Sequence, residues 1–161
     1  MGNKSLIGSL SFLMLLIVLL VSCDPNRIYE KYQKVDKNGW HQDSTIYFAV
    51  DISDTVNLYN LYVNIRNKGN YPNSNLWLFL TVTPPKGKSI TDTVEFNLAD
   101  IHGKWMGKGL GDLYDSQHLY KGKVFFPTAG TYRFKIQHGM RETLLPGIRD
   151  VGIRIEKIKK K

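Results

Sequence analysis

Leu76-Trp77-Leu78-Phe79-Leu80-Thr81-Val82 decides the fold: its aliphatic residues fall at every second position, with Trp77 and Phe79 between them. A period of two sends alternate side chains to opposite faces of an extended strand, so one face meets a core and the other is wetter. The same beat recurs upstream. Ile46, Phe48, Val50 and Ile52 alternate with Tyr47, Ala49 and Asp51, and Tyr59, Leu61, Val63 and Ile65 alternate with Asn60, Tyr62, Asn64 and Arg66. Downstream come Val94, Phe96 and Leu98, then Tyr132, Phe134 and Ile136, then Val151, Ile153 and Ile155. Turn-forming clusters punctuate the rows: Asn67-Lys68-Gly69-Asn70, Pro84-Pro85-Lys86-Gly87, Ala129-Gly130 and Pro146-Gly147. Strands joined by tight turns, with no helical stripe between them, predict an all-β chain: an antiparallel β-sandwich, Ig-like or jelly-roll-like, over 44–158. Tyr132, at a strand start, is either an ordinary core aromatic or the tyrosine that locks a sandwich corner by bonding its hydroxyl to upstream backbone.

Toward the N-terminus the pattern changes. Lys4 is the only charged side chain before Asp24, and Leu10 to Val21 is almost wholly apolar. A basic start, an apolar run and small residues before a cut describe an export signal. A membrane-spanning helix needs about 20 apolar residues, more than this run supplies. Leu20-Val21-Ser22-Cys23 resembles the lipobox of bacterial lipoproteins, which implies lipid on the Cys23 thiol and cleavage before it. Cys23 is the only cysteine, so no intramolecular disulfide can form; a free thiol is the other reading. The expected division is a signal-peptide helix over 1–22, a lipidated N-terminus and tether over 23–43, the sandwich, and a basic tail over 159–161. Loss of the signal removes only Lys4 from the charged side chains, so most of the net charge of +8 stays. Lys157, Lys159, Lys160 and Lys161 crowd the C-terminus; such a run is either a solvated tail or an attraction to anionic lipid, worth about 1 kcal/mol per base. Export argues against a nucleic-acid partner. The expected location is the cell envelope, membrane-anchored and facing the periplasm. Asp24 can sort lipoproteins in some bacteria, but that rule does not transfer between phyla, so the choice of membrane stays open.

Asp100 to Lys123 interrupts the strand rhythm with Gly103, Gly107, Gly109, Gly111 and Gly122, and reads as a long shaped loop of the kind that often carries function. Gly107-Lys108-Gly109-Leu110-Gly111 lacks the strand, helix and spacing of a nucleotide loop. Asp100, His102, Asp112, Asp115 and His118 share this region, but scattered polar residues are the stronger reading than a metal site. No serine sits in a nucleophile elbow, and an enzyme is not expected. Binding suits the aromatics better: Trp40, Trp77 and Trp105, with outward Tyr47 and Tyr62, would form a platform beside hydrogen-bonding groups. The plainer reading makes Trp77 and Trp105 plugs at the ends of the core; it is favoured for Trp77 and open for Trp105. Lys104, Trp105, Tyr114 and Tyr120 are the candidate partner-binding residues.

Four stretches carry a wider resemblance: Tyr71 to Phe79; Asp92 to Asp100, running into Gly103 to Gly107; Phe126 to Tyr132; and Met140-Arg141 with Leu145 to Gly152. In these the chain resembles the GldH family of gliding-motility lipoproteins of Bacteroidetes. The resemblance implies a lipid-anchored, non-enzymatic envelope component of the gliding machinery, linked to type IX secretion, whose partners are other envelope proteins. It implies no cofactor beyond the covalent lipid, and it carries over a role for Cys23 alone. The alternative is a carbohydrate-binding envelope lipoprotein whose exposed aromatics stack on glycan.

Overall fold

The computed structural model describes residues 24–159. The expected signal peptide over 1–22, Cys23, and the tail residues Lys160 and Lys161 lie outside them. The described chain forms strands β1 (Arg27–Lys34), β2 (Trp40–His41), β3 (Ile46–Ile52), β4 (Leu58–Lys68), β5 (Asn75–Thr83), β6 (Ile90–Asn97), β7 (Lys108–Leu110), β8 (Leu113–Phe125), β9 (Gly130–His138), β10 (Leu144–Leu145) and β11 (Ile148–Lys157). A five-stranded sheet has the order β1-β11-β4-β8-β7, a four-stranded sheet the order β3-β9-β5-β6, and β10 pairs with β2 in a short ribbon. Every pairing is antiparallel. The all-β sandwich read from the sequence is the fold.

The alternation explains the packing. On β5, Leu76, Leu78 and Leu80 are fully buried, while Trp77 and Phe79 face outward at 39% and 41% exposure. Val63 and Ile65 on β4, Phe134 and Ile136 on β9, and Val151, Ile153 and Ile155 on β11 complete the cluster between the sheets. Each such side chain contributes about 1.5–3 kcal/mol by leaving water. Trp40 belongs to this core rather than to a surface platform, its indole donating to Ser44 O at 3.0 Å. Trp77 goes the other way, outward on the four-stranded sheet, and does not plug the core.

Among the described residues, the stretch expected to be a tether, 24–43, is partly built into the sheet. Arg27–Lys34 is an edge strand paired along β11, and Asp24 already touches the body through Arg154. The reason lies on the outer face of the sheet, where polar residues do the holding. Arg154 binds Asp24, Glu30 and Glu156, and Asn64, itself buried, donates to Glu30 at 2.9 Å. Tyr32 lies across Gly152, where a Cβ would meet its ring at 3.0 Å, and the Arg66 guanidinium stacks 3.8 Å from that ring's centroid. A cation over an aromatic face contributes about 0.5–2 kcal/mol. Apolar periodicity does not register a strand held this way.

The register also defines two ends. Asp24, Lys159, the β3–β4 turn, the β5–β6 turn and the β8–β9 turn lie at one end, which will be called the anchor end. The connections after β1, β4, β6 and β9 lie at the other. At the anchor end Tyr59, rather than Tyr132, makes the corner bond: its hydroxyl donates to Asp54 O at 3.2 Å, five residues upstream. The Tyr132 hydroxyl is buried without a partner, and its ring packs edge-on to Phe126.

Candidate functional site

The stretch expected to be a loop from Asp100 to Lys123 is mostly strand. β8 runs from Leu113 to Phe125, and Gly107 and Gly109 serve β7: a Cβ at either would come within 2.9 Å of the Asp115 backbone or the Tyr114 ring. The inward positions along the middle of β8 are Ser116, His118 and Tyr120, with aliphatic Val124 reaching the core only near its end, so no apolar row announces the strand.

What remains irregular is a short hairpin at the end far from Asp24. Met106 N donates to Leu98 O at 2.8 Å, Ala99 bridges Trp105, and Asp100 N donates to Lys104 O at 2.9 Å. Asp100 Oδ1 accepts from His102 N at 2.9 Å and from Lys104 N at 3.0 Å, while Gly103 turns the chain at φ +79°. An aspartate bonding backbone beyond it pins a turn. The fixed tip holds Ile101 almost wholly in water, at 94% exposure, with Met106 at 61% beside it.

Below the tip, Trp105 lies 6.2 Å from the Tyr71 ring and 5.9 Å from the Tyr114 ring. Trp105 is half-buried against the core; it is a foundation for the hairpin more than a contact surface. The structure thus brings Lys104, Trp105 and Tyr114 together. Tyr120 is elsewhere: its hydroxyl donates to Asp92 of the opposite sheet, and Lys121 joins the same carboxylate. Burial, then that bond, raises the Tyr120 hydroxyl far above its ordinary range, while Lys121 and then Tyr120 lower Asp92. This pair clamps the two sheets along one side. The other acids and imidazoles of the region have separate occupations: Asp112 accepts from Gly69 N at 3.0 Å, Asp115 from Arg66 Nε at 2.8 Å, and His118 pairs with Ser116.

Sequence reasoning missed Ile101 and Met106. The available signal was an isoleucine between an aspartate and a histidine in a polar turn, where an apolar side chain gains nothing unless something covers it. It also missed a charge row crossing the sheet: Lys34, Asp150, Arg66, Asp115 and Lys108 face one another in register, alternating in sign. Where the row meets the far end, Lys34, Lys37, Lys68 and Arg149 line a hollow of about 360 Å³ with Asp36. The arrangement suits binding: a rigid apolar knob and a basic hollow share one end.

The family model described as GldH lipoprotein matches residues 27–155. The chain belongs to the GldH lipoprotein family. The gliding motility lipoprotein GldH homolog of Christiangramia forsetii is 40% identical over 148 residues, covering 88% of this chain and 90% of that protein. The gliding motility lipoprotein GldH of Flavobacterium johnsoniae is 38% identical over 151 residues, covering 89% and 93%. The match begins where β1 begins, so the strand that sequence patterning overlooked belongs to the GldH body. Among solved structures, the VP2 subviral particle of infectious bursal disease virus overlaps 81% of this chain and 30% of its own at a TM-score of 0.37 and 12% identity, a likeness too loose to bear on function.

Proposed function

We propose that this chain is a lipid-anchored, non-enzymatic component of the gliding-motility machinery, linked to type IX secretion, that holds an envelope protein at the end away from its anchor. The observation that carries the reading is the pinned hairpin: Ile101 and Met106 stand exposed on a turn already fixed by Asp100, opposite the end where Asp24 enters. A preorganised apolar contact loses little conformational freedom on binding. Lys104 beside it and the basic hollow favour a partner with acidic groups.

Two experiments test the reading. Photo-crosslinking from the hairpin in cells should recover an envelope protein, and Ile101→Asp with Met106→Asp should lower that yield roughly tenfold or more, as loss of a central contact does, with the melting temperature unchanged. An undiminished yield would sink the partner site. Trp105→Ala is the wrong probe, because it removes packing under the hairpin. Separately, Cys23→Ala should move the protein from membrane to soluble fractions and stop gliding, since several acyl chains anchor firmly where none holds at all. Retained membrane association would refute lipid anchoring at Cys23. The domain would face the periplasm.

The carbohydrate reading has one observation in its favour. Trp77 faces outward beside a hollow shared with Asn73, Asn75, Arg141 and Glu142, and an exposed indole next to amide and charged groups suits a sugar ring. Calorimetric binding of envelope glycans would favour it over the protein partner.

A further inference from the structure

Five large apolar side chains left in water lie at the anchor end, a set separate from the hairpin's Ile101 and Met106. Val56 is 73% exposed, Ile90 61%, Phe125 52%, Ile28 44% and Leu58 41%. The register makes them neighbours of the chain entry: Leu58 pairs with Phe125, Ile158 N donates to Leu58 O at 2.8 Å, and Lys157 N donates to Asn26 O at 2.8 Å. Val56 rides the turn leading into Leu58, and Ile90 opens β6 beside Val82 at the same end of the other sheet.

The charges around this tip are sorted. Its acids are occupied: Asp54 binds Lys157 at 2.8 Å and accepts from Val56 N at 3.0 Å, Asp24 and Glu156 bind Arg154, and Asp51 takes Thr131. Lys86, Lys88 and Lys123 form no ion pair among the described residues. Lys123 has a backbone φ of 56°, in a region side chains other than glycine seldom adopt. Its N–H is held by Asn60 Oδ1 at 3.1 Å, within the irregular register that ends β8. Such irregularities re-aim side chains, and here a lysine is kept where glycine would be cheaper.

Apolar side chains sharing one end with lysines that form no ion pair among the described residues match an interfacial lipid layer, with the apolar groups below the headgroups and the ammonium groups among lipid phosphates. The chain's own geometry supplies that layer. Asp24 follows Cys23 directly, and Asp24 to Asn26 can reach only about 10 Å even when fully extended, so an acylated Cys23 keeps this end at the bilayer. We infer that the anchor end is a membrane-docking face, in which Val56, Leu58 and Phe125 enter the headgroup boundary of an anionic bilayer and Lys86, Lys88 and Lys123 meet its phosphates. The inference rests on the lipid-anchor reading and adds an orientation to it. The strands stand across the membrane plane, with the hairpin roughly 25 Å above it at the rise of an extended chain.

Cys23 is the sole cysteine, so once it is acylated an introduced cysteine is the one free thiol. The lipidated full chain carrying Val56→Cys, Phe125→Cys or Ile101→Cys is labelled with nitroxide in vesicles of phosphatidylethanolamine and phosphatidylglycerol. The ratio of oxygen to nickel-chelate collisions should be several-fold higher at positions 56 and 125 than at 101. It should fall at 56 when phosphatidylcholine replaces phosphatidylglycerol. Equal ratios at all three positions in protein that floats with the vesicles would overturn the docking face and leave the anchor standing. Protein that does not float would overturn both. A ratio unchanged in the neutral vesicles would overturn the part given to the lysines.

Discussion

Gly147→Ala should destabilise the domain by about 2–5 kcal/mol, a large share of the roughly 5–15 kcal/mol that holds a domain of this size together. Gly147 has φ +81°, in the left-handed region, where a side chain costs about 1–2 kcal/mol. A Cβ there would also lie 2.7 Å from Tyr71 Cα, 2.9 Å from its Cβ and 3.0 Å from its N. Those are backbone or near-backbone atoms, which no rotamer change can move aside, so relief requires a shift of the chain costing roughly a further 1–3 kcal/mol. Tyr71 N is tied to Lys68 O at 3.1 Å, and Lys68 N to Gly147 O at 2.7 Å, so the shift would break a closed ring of contacts. Gly103→Ala is the control, because its φ of +79° is nearly the same and nothing lies within 4 Å of its absent Cβ. It should lose only the dihedral cost. Urea unfolding of both variants reads the difference, and equal losses would show that Tyr71 yields freely. Because Tyr71 stands beside Trp105, the Gly147 variant should also loosen the hairpin that carries Ile101.

Sequence patterning reached the parts of the fold that apolar burial builds. β3, β4, β5, β6, β9 and β11 each show the alternation that places them, because their inner residues are aliphatic or aromatic. β1 and β8 escaped for a common reason: what holds them is polar. Glu30 and Tyr32 bind across the outer face through Arg154, Asn64 and Arg66, partners far apart in sequence, and Ser116 and His118 fill inner positions by bonding each other. A hydrogen-bond network between strands leaves no period behind. The candidate site was half legible. Lys104, Trp105 and Tyr114 do converge, but Tyr120 looked equivalent to Tyr114 until its bond to Asp92 placed it on the sandwich's side wall. Exposure was the least legible quantity: Trp40 and Trp77 are the same residue type, and only the register sends one inward and the other out.

Acid should weaken the protein in two separate steps, and the first belongs to histidine. His138 is 2% exposed, edge-on to Trp40 at 5.4 Å between ring centroids. His118 stacks on Phe96 at 5.0 Å with Nε2 2.8 Å from Ser116 Oγ. Burial lowers both below the ordinary value of 6.5, with the Trp40 backbone and then Glu142 only partly opposing this at His138. As pH falls through 6.5 the unfolded chain takes up protons that the folded chain refuses, so stability is fully present above that pH and falls below it until the folded imidazoles protonate in turn. The slope is at most about 1.4 kcal/mol per pH unit for each histidine, with His118 contributing less because water reaches part of it. The carboxylates act later. Asp54, lowered first by Lys157, and Asp92, lowered first by Lys121, start from an ordinary value of 3.8, so their stabilisation is lost only as pH drops below about 4. Urea midpoints followed from pH 7.5 to 3 should therefore decline from about 6.5 and decline again below 4. His138→Phe, which keeps a ring against Trp40, should shrink the first decline to the part His118 contributes and leave the second. A midpoint constant between pH 7 and 5 in the unaltered chain would mean that water reaches both imidazoles in the folded protein, and that the core between β5 and β9 is more open than its packing implies.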